Sequence, residues 1–369
     1  MRRVGAAGVA AVALMGSLLA TGCSTTGYYA QSVGGHLELV RRARPVADWL
    51  ADAATPDALR QRLQLTQKIR DFTITELKLP DNQSYRAFVE LGRPAVVWNV
   101  VASPELSLTL RTWCFPAMGC VGYRGYFDQS QAQALGEQLR EQGLEVKVYG
   151  VPAYSTLGWT NWLGGDPLLS SFIQWPDDQL ARLIFHEMAH QVAYASDDTM
   201  FNESFATAVE RLGAQRWRAA TGRSGQDEAA LQRQAEFKAL TLRTREALDG
   251  VYRSDLGDAD KRQRKAALMA AMRAEQAVLK AGPWGGFAGY DGWMAEANNA
   301  SLAVQAAYDG LVPEFERLFA SQGRDFERFY AEVKRLAALP KEMRRAALQT
   351  THRPTHATEQ HNARNPHPP

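Results

Sequence analysis

The chain has few cysteines, few histidines and no strong excess of charge. Its 369 residues include 3 Cys and 7 His, and 42 basic residues balance 40 acidic ones to a net charge of +2. A charge so close to zero produces no strong field that would attract nucleic acid or an acidic polymer, so we expect no nucleic-acid partner. The scarcity of histidine makes each one in the body of the chain informative.

Most of the histidines lie at the C-terminal end. Residues 350–369 are polar, rich in Pro, Asn and His, and nearly free of apolar side chains, so we expect this tail to be disordered. Four of the 7 histidines fall in it. Outside the tail remain His36, His186 and His190.

Two of these three histidines belong to one motif. His186-Glu187-Met188-Ala189-His190 is an H-E-x-x-H sequence, and Glu203 follows in Asn202-Glu203-Ser204-Phe205-Ala206. On a helix, positions i and i+4 share one face, so both imidazoles can bind one metal ion while Glu187 reaches its open side. The same residues could instead be two helix histidines whose hydrogen bonds are made within the protein, and an acid that is exposed to solvent.

The flanking sequence predicts two helices that would bring these residues together. An apolar stripe with helical spacing runs from Asp177 to Ala195, and after a polar break Asn202 is the expected N-cap of a second helix. A helix, a turn and a returning helix would place Glu203 beside the histidines. Glu210, two turns further on, could receive the free ring N–H of a ligand histidine.

Two histidines, one carboxylate and an open position are typical of a catalytic zinc site. We therefore predict one Zn²⁺ per chain, bound by His186, His190 and Glu203. Its Lewis acidity would activate water and polarise a peptide carbonyl, and Glu187 would act as general base.

The motif residues resemble the gluzincin metallopeptidases, which include thermolysin and the zinc aminopeptidases. More closely, residues 28–339 resemble a bacterial family of predicted zinc aminopeptidases. The segments that carry this resemblance are Tyr28–Val33, Thr112–Pro116, Gly119–Phe127, Val151–Trp159, Asp198–Ala206 and Asn298–Ala300. The resemblance implies a gluzincin-like core and a peptide substrate, with aminopeptidase activity favoured over endopeptidase activity. The spacing to the third ligand is shorter than in the better studied gluzincins, and the amine-binding G-x-M-E-N segment is absent.

Gluzincins also supply a downstream Tyr or His that stabilises the oxyanion. Since the downstream histidines lie only in the tail, Tyr308 or Tyr290 is the expected donor. By analogy of position, Val151–Trp159 would be an edge strand that binds substrate through its backbone and places Tyr154 near the site.

The N-terminus predicts export. Arg2 and Arg3 precede an apolar stretch from Val4 to Ala20, which is too short and too weakly apolar for a settled transmembrane span, and Cys23 follows. This pattern resembles a bacterial lipoprotein signal over residues 1–22, with Cys23 as the lipidated first residue. We expect a lipid-anchored protein of the bacterial envelope, at the periplasmic face of the outer membrane. A plain secretory signal cut near the same place is the alternative.

The other two cysteines form a close pair. Cys114 and Cys120 flank Pro116 and Gly119, a composition that favours a turn, and an oxidising periplasm would favour a disulfide between them. Two buried free thiols or a second metal site are the alternatives.

The predicted fold class is α+β, mainly helical. Residues 23–176 are expected to form an N-terminal α/β lobe with a small sheet, and residues 177–349 a helical lobe that carries the zinc site. Strands are predicted at 95–101, 106–113, 121–127 and 145–149, and helices at 37–49, 56–77, 129–142, 228–252, 258–280, 296–322 and 325–339.

Two functions of different classes remain open at this stage. One is a zinc-dependent peptidase. The other is a non-catalytic envelope lipoprotein that keeps zinc to hold two helices together and acts as a binding or assembly factor. Structural zinc sites usually have four protein ligands, whereas three are visible here, which favours the enzyme.

Overall fold

The structure is a computed structural model that describes residues 27–115, 119–153, 156, 164–222 and 228–350, without the side chains of residues 228, 307–309 and 350. Cys23, Tyr154, the signal segment 1–22 and the tail beyond 350 therefore lie outside the described residues. Within these ranges the expected class, α+β and mainly helical, is confirmed. No described helix is both long and apolar enough to cross a bilayer.

Helices make up most of the described chain. They are α1 (27–42), α2 (Val46–Ala51), α3 (Asp57–Thr75), α4 (Gln129–Glu141), α5 (Asp177–Ala189), α6 (Thr199–Thr221), α7 (Glu228–Arg253), α8 (Asp258–Ala281), α9 (Asp291–Ala295), α10 (Asn299–Asp309), α11 (Val312–Ser321), α12 (Phe326–Ala337) and α13 (Lys341–Thr350).

Within the described ranges, the strands form three small sheets. They are β1 (Arg44–Pro45), β2 (Ala87–Val89), β3 (Val97–Pro104), β4 (Trp113–Phe115), β5 (Gly119–Val121), β6 (Arg124–Tyr126), β7 (Leu144–Val151) and β8 (Leu168–Leu169). One sheet has the order β1-β2-β8, the second has β6-β3-β7, and β4 pairs with β5 alone. In the second sheet β3 is antiparallel to both neighbours, and seven of its eight residues are buried because α4 and α10 also pack on it.

Among the described residues, the core consists of three apolar clusters. The largest joins α3, α5, α6, α11 and α12, a second lies among α7, α8, α9 and α10, and a third fills the space between the β6-β3-β7 sheet and α4. The largest cluster contains residues from both sides of position 176, such as Leu63 and Phe72 with Phe185 and Phe205. The division of the chain into two lobes at that position stays a prediction.

Several predicted elements are placed correctly, and some boundaries are wrong. The helix predicted at 37–49 is wrong, because α1 ends at 42 and Pro45 cannot continue a helix. The strand predicted at 106–113 is absent up to residue 112, because the hydroxyl of Ser103 donates to the carbonyls of Ser107 and Thr109 and replaces strand pairing. The strand predicted at 121–127 is split into β5 and β6 at Gly122 and Tyr123.

Two helices also differ from the prediction. α5 begins at Asp177 as expected but ends at Ala189, where the backbone turns and the N–H of Val192 donates to the carbonyl of Ala189 (2.9 Å). The helix predicted at 296–322 is interrupted after α10. There the N–H of Leu311 donates to the hydroxyl of Ser204 (3.1 Å), and Pro313 starts α11.

Asp198, rather than the predicted Asn202, caps α6. Its carboxylate accepts from the N–H of Phe201 (3.1 Å) and forms ion pairs with Arg344 (3.1 Å) and Arg345 in α13. Burial alone would raise the pKa of Asp198, but the two arginines lower it below its ordinary value. Asp198 therefore stabilises the fold above the pKa of the unfolded chain and loses this contribution as the pH falls through the lower folded value.

We predict that Asp198→Ala lowers the free energy of unfolding by about 3–5 kcal/mol, because it leaves two cations in place without their buried partner. The matched control is Asp197→Ala. Its side chain also contacts Arg344 (3.0 Å) but is 51% exposed, against 1% for Asp198. Asp197→Ala should lower the free energy of unfolding by no more than about 1 kcal/mol. Urea unfolding of both variants measures the difference, and equal losses would contradict this account.

Candidate metal centre

The two histidines of the H-E-x-x-H motif and Glu203 lie together between α5 and α6. His186 lies in the last turn of α5 and His190 is the C-cap residue that follows it, and their ring centroids are 5.0 Å apart. Glu203 Oε2 lies 3.4 Å from His186 Nε2 and 3.6 Å from His190 Nε2. Among the residues described, these form the one cluster of three or more His, Cys, Asp or Glu side chains whose ligand atoms all lie within 4.8 Å of one another.

Asn202 holds the connection that brings Glu203 to the histidines. Its side-chain oxygen accepts from the N–H of Ala195 (2.8 Å), and its side-chain nitrogen donates to the carbonyl of the same residue (2.8 Å). This buried pair of hydrogen bonds fixes the segment between α5 and α6 from inside the second helix. The sequence predicted Asn202 as the N-cap of the second helix. Its side-chain amide instead binds the backbone of the segment between α5 and α6.

Glu210 and Arg182 orient His186 from the other side. Glu210 Oε2 lies 3.3 Å from His186 Nδ1, and Arg182 Nε donates to Glu210 Oε1 (2.7 Å). An imidazole that donates from Nδ1 presents the lone pair of Nε2 in the opposite direction, toward Glu203. The structure therefore places Glu210 where the sequence predicted a partner for a ligand histidine.

Negative charge is concentrated around this pair of rings. Burial would raise the pKa of Glu203, but His190 and His186 lower it to about 2. Burial would lower the pKa of His186, but Glu203 and Glu210 raise it well above its ordinary value. Burial raises the pKa of Glu187. A pocket with three carboxylates favours added positive charge, which can be a proton on His186 or a metal cation.

The donor set and its spacing fit a zinc ion. Ligand atoms about 2.1 Å from zinc at tetrahedral angles lie about 3.4 Å apart, close to the separations of 3.4 and 3.6 Å that join Glu203 to the histidines. Two imidazoles and one carboxylate are also the ligand types of catalytic zinc sites. Nε2 of His190 faces the cluster, since it lies 3.6 Å from Glu203 Oε2, whereas Nδ1 of the same ring is buried and has no hydrogen-bond partner within the described part of the chain.

Two tyrosines that the sequence analysis missed lie near the cluster. Tyr123 and Tyr194 line the same cavity as the histidines. Burial, and after it the charge of Glu203, raises the pKa of Tyr123 well above its usual value and raises the pKa of Tyr194. Tyr194 stands four residues after His190, and Tyr123 stands in the Gly119–Phe127 segment, so both lay beside motifs already recognised.

Of the two tyrosines predicted as oxyanion donors, the structure describes the side chain of Tyr290. Tyr290 lines the cavity but stacks on Phe237, with ring centroids 4.0 Å apart, and meets Trp284 and Phe287 edge to face. It is therefore a packed aromatic of the second core cluster. Residue 308 belongs to α10, but its side chain lies outside the described part of the chain, as does Tyr154.

The predicted disulfide between Cys114 and Cys120 is present and joins β4 to β5. This hairpin lies directly against the segment between α5 and α6. Gly119 has φ +72°, and a Cβ at this position would come within 1.8 Å of the carbonyl oxygen of Ser196. The cross-linked hairpin thus supports the segment that leads from His190 to Glu203, and it also leads to Tyr123.

A cavity of about 1780 Å³ opens over the cluster. α5 and α6 form one side of it, and residues of α1, of the β6-β3-β7 sheet and of α7 also line it. The cluster is therefore accessible to a ligand of peptide size.

The fold and the side chains thus define a mainly helical α+β protein with a potential metal centre beside a large cavity. The chain belongs to the family described as "Putative aminopeptidase", whose model matches residues 27–348. This membership supports a peptidase as the broad class of the protein. Searches of curated proteins and of solved structures found no match.

We predict that Gly119→Ala destabilises the fold by at least about 2 kcal/mol more than Gly92→Ala. Both glycines have positive φ, +72° and +69°, but a Cβ at Gly92 would meet no atom within 4 Å, whereas Gly119 abuts Ser196. The difference between the two variants therefore isolates the contact between the hairpin and the site. Thermal or urea unfolding measures it, and equal destabilisation would show that the hairpin does not press on this segment.

Proposed function

We propose that the protein is a zinc-dependent peptidase, and more specifically an aminopeptidase. The observation that carries the proposal is the convergence of His186, His190 and Glu203, with Glu187 beside them, on one wall of a large cavity. Membership of the family supports the peptidase class. A gluzincin-like catalytic core is part of the same proposal.

His186, His190 and Glu203 would hold the zinc ion, and Glu210 would fix the ring of His186. When bound there, zinc supplies Lewis acidity toward a peptide carbonyl and toward a water molecule. The chain contributes a preformed ligand set, since Asn202, Glu210 and Arg182 already hold the side chains and their supporting backbone.

Glu187 would transfer a proton from the attacking water to the departing amine. Glu187 lines the same cavity as His186 and His190, and burial raises its pKa. A carboxylate whose pKa is closer to neutrality is a better proton carrier at neutral pH. It would accept a proton from the attacking water and pass it to the nitrogen of the departing amine.

Tyr123 or Tyr194, which line the cavity with the histidines, would donate a hydrogen bond to the substrate carbonyl oxygen as it gains charge, and Tyr308 stays a predicted alternative donor. The hydroxyls of Tyr123 and Tyr194 carry their protons at neutral pH, as tyrosine does at its ordinary pKa, and burial raises the pKa of both further. Preformed donors of this kind are commonly worth several kcal/mol of barrier lowering. Tyr123 is also held by the cross-linked hairpin, which favours it as a rigid donor.

The competing function is an envelope binding or assembly factor with structural zinc. The described cluster contains three potential ligands rather than four, and the carboxylate of Glu187 lines the cavity, where a structural site has no need of it. Both features favour the enzyme.

We further propose that Cys23 carries the lipid anchor, at the periplasmic face of the bacterial outer membrane. The signal-like sequence before Cys23 supports this location, and so does the disulfide, since such bonds persist in oxidising compartments. Lipid at one residue would hold the enzyme at the bilayer without a spanning helix.

We predict that Glu187→Gln retains zinc and lowers kcat by at least about 100-fold, because the amide cannot accept the proton of water. Metal analysis and turnover of a short peptide measure the two effects. Glu137→Gln, at an exposed position of α4, is the matched control and should match the wild type. Wild-type turnover by Glu187→Gln would contradict the mechanism.

We predict that zinc affinity falls as the pH is lowered. The raised pKa of His186 means that the metal-free site holds a proton, which zinc must displace, so affinity should drop about tenfold per pH unit below that pKa. Glu210→Gln should weaken zinc binding by about 10- to 100-fold at pH 8. Competition with a chelator across pH 5 to 8 measures both, and a pH-independent affinity would oppose the assignment.

Aminopeptidase and endopeptidase activity are separated by one pair of substrates. We expect the protein to cleave a peptide with a free N-terminus and to leave its N-acetylated form intact, because an exopeptidase must recognise the free amine. Equal cleavage of both peptides would make the protein an endopeptidase.

A further inference from the structure

The cavity extends from the metal centre along one face of α6. Glu203, Thr207, Arg211, Ala214 and Arg218 all line it, at positions i, i+4, i+8, i+11 and i+15. With a rise of about 1.5 Å per residue, Arg211 lies about 12 Å and Arg218 about 22 Å along the axis from Glu203. An extended peptide advances about 3.3 Å per residue, so these distances correspond to about four and seven residues of substrate.

The charge of the cavity changes sign along this direction. The carboxylates of Glu187, Glu203 and Glu210 lie at the metal centre together with Arg182, which pairs with Glu210, whereas Arg211 and Arg218 follow on α6. α7 also contributes Arg233 and Lys238 to the lining of the cavity.

Two of these cations make long ion pairs and are partly exposed. Arg211 contacts Glu316 at 3.8 Å, Arg218 contacts Asp178 at 3.5 Å, and their side chains are 37% and 30% exposed. Ion pairs of this length between partly exposed groups are worth little, and the exposed fraction of each side chain can receive an incoming carboxylate. Arg233 lies over the ring of Phe287, 4.8 Å from its centroid, which holds its charge at the cavity wall. Besides Glu187, Glu203 and Glu210, Asp178 is the one acidic residue that lines the cavity within the described residues.

We propose that the end of the cavity formed by Arg211, Arg218, Arg233 and Lys238 binds the carboxylate of a peptide substrate. We call these four residues the basic end. This inference rests on the proposed peptidase function and names its substrate class, which is short peptides with an anionic group about four to seven residues from the cleaved bond.

Two features of the chain favour a carboxylate at this place. Guanidinium groups bind carboxylates through paired hydrogen bonds, and two of the four cations are on one helix face that also carries Glu203. Between Glu203 and Arg218, the lining residues Thr207 and Ala214 are small, and Glu210 is engaged with His186 and Arg182, so a peptide backbone can lie along α6. A free peptide of this length brings its own α-carboxylate to the basic end, whereas an internal segment of a protein does not.

The test compares one hexapeptide as the free acid and as the C-terminal amide. Binding of each to Glu187→Gln, loaded with zinc, is measured by calorimetry, and hydrolysis by the wild type is measured in parallel. We expect the acid to bind about tenfold more tightly, the size of one hydrogen bond to a charged group. A pair of hexapeptide amides that differ only in their last residue, Glu or Gln, shows whether a side-chain carboxylate is bound in the same way as the α-carboxylate.

The variants are made in the Glu187→Gln background. Arg211→Gln, and separately Arg233→Gln, should remove most of the preference for the acid. Arg243→Gln is the matched control, because Arg243 is an exposed residue of α7 that pairs with Glu275 (2.6 Å) and does not line the cavity. This control should keep the full preference.

The outcomes separate the two proposals. Equal binding of acid and amide, or a preference that survives both cavity variants, overturns the basic end whether or not the wild type cleaves the peptide. A carboxylate preference that depends on Arg211 or Arg233 supports the basic end, even if the wild type cleaves neither peptide. In that last case the peptidase function fails while the binding site stands.

Discussion

The placement of one carboxylate, that of Glu203, between two imidazoles is the interaction on which the proposed chemistry depends. A buried carboxylate is costly unless opposite charge compensates it, and here the compensation comes from the ring nitrogens of His186 and His190. Glu210 adds a second carboxylate behind His186. The region therefore favours a cation, and the geometry of its donors suits zinc.

The rest of the fold holds that carboxylate in position. Asp198, the N-cap residue of α6, is anchored by two arginines of α13, and Asn202 holds the segment between α5 and α6 through the backbone of Ala195. The disulfide-linked hairpin presses on the same loop through Gly119. Elements that are distant in the sequence thus converge on the segment between His190 and Glu203 and hold the three side chains together.

The sequence was sufficient for the parts of the site that follow local periodicity. The spacing of His186 and His190 and the two-turn offset of Glu210 from Glu203 are properties of a helix, and both carry over to three dimensions. Tyr123 could not be assigned in this way, because its position depends on a strand break and on a hairpin that packs against a loop about 70 residues away. The cap of α6 was assigned to the wrong residue for a related reason. Asn and Asp are both good caps locally, and the choice between Asp198 and Asn202 is made by Arg344, Arg345 and the backbone of Ala195.

The most direct measurement is an anomalous difference map from crystals of the zinc-loaded protein, recorded at the zinc absorption edge. The account predicts one strong peak within about 2.3 Å of His186 Nε2, His190 Nε2 and a carboxylate oxygen of Glu203, with no fourth protein ligand. A site with no peak, a peak elsewhere, or an ion closed by four protein side chains would contradict it.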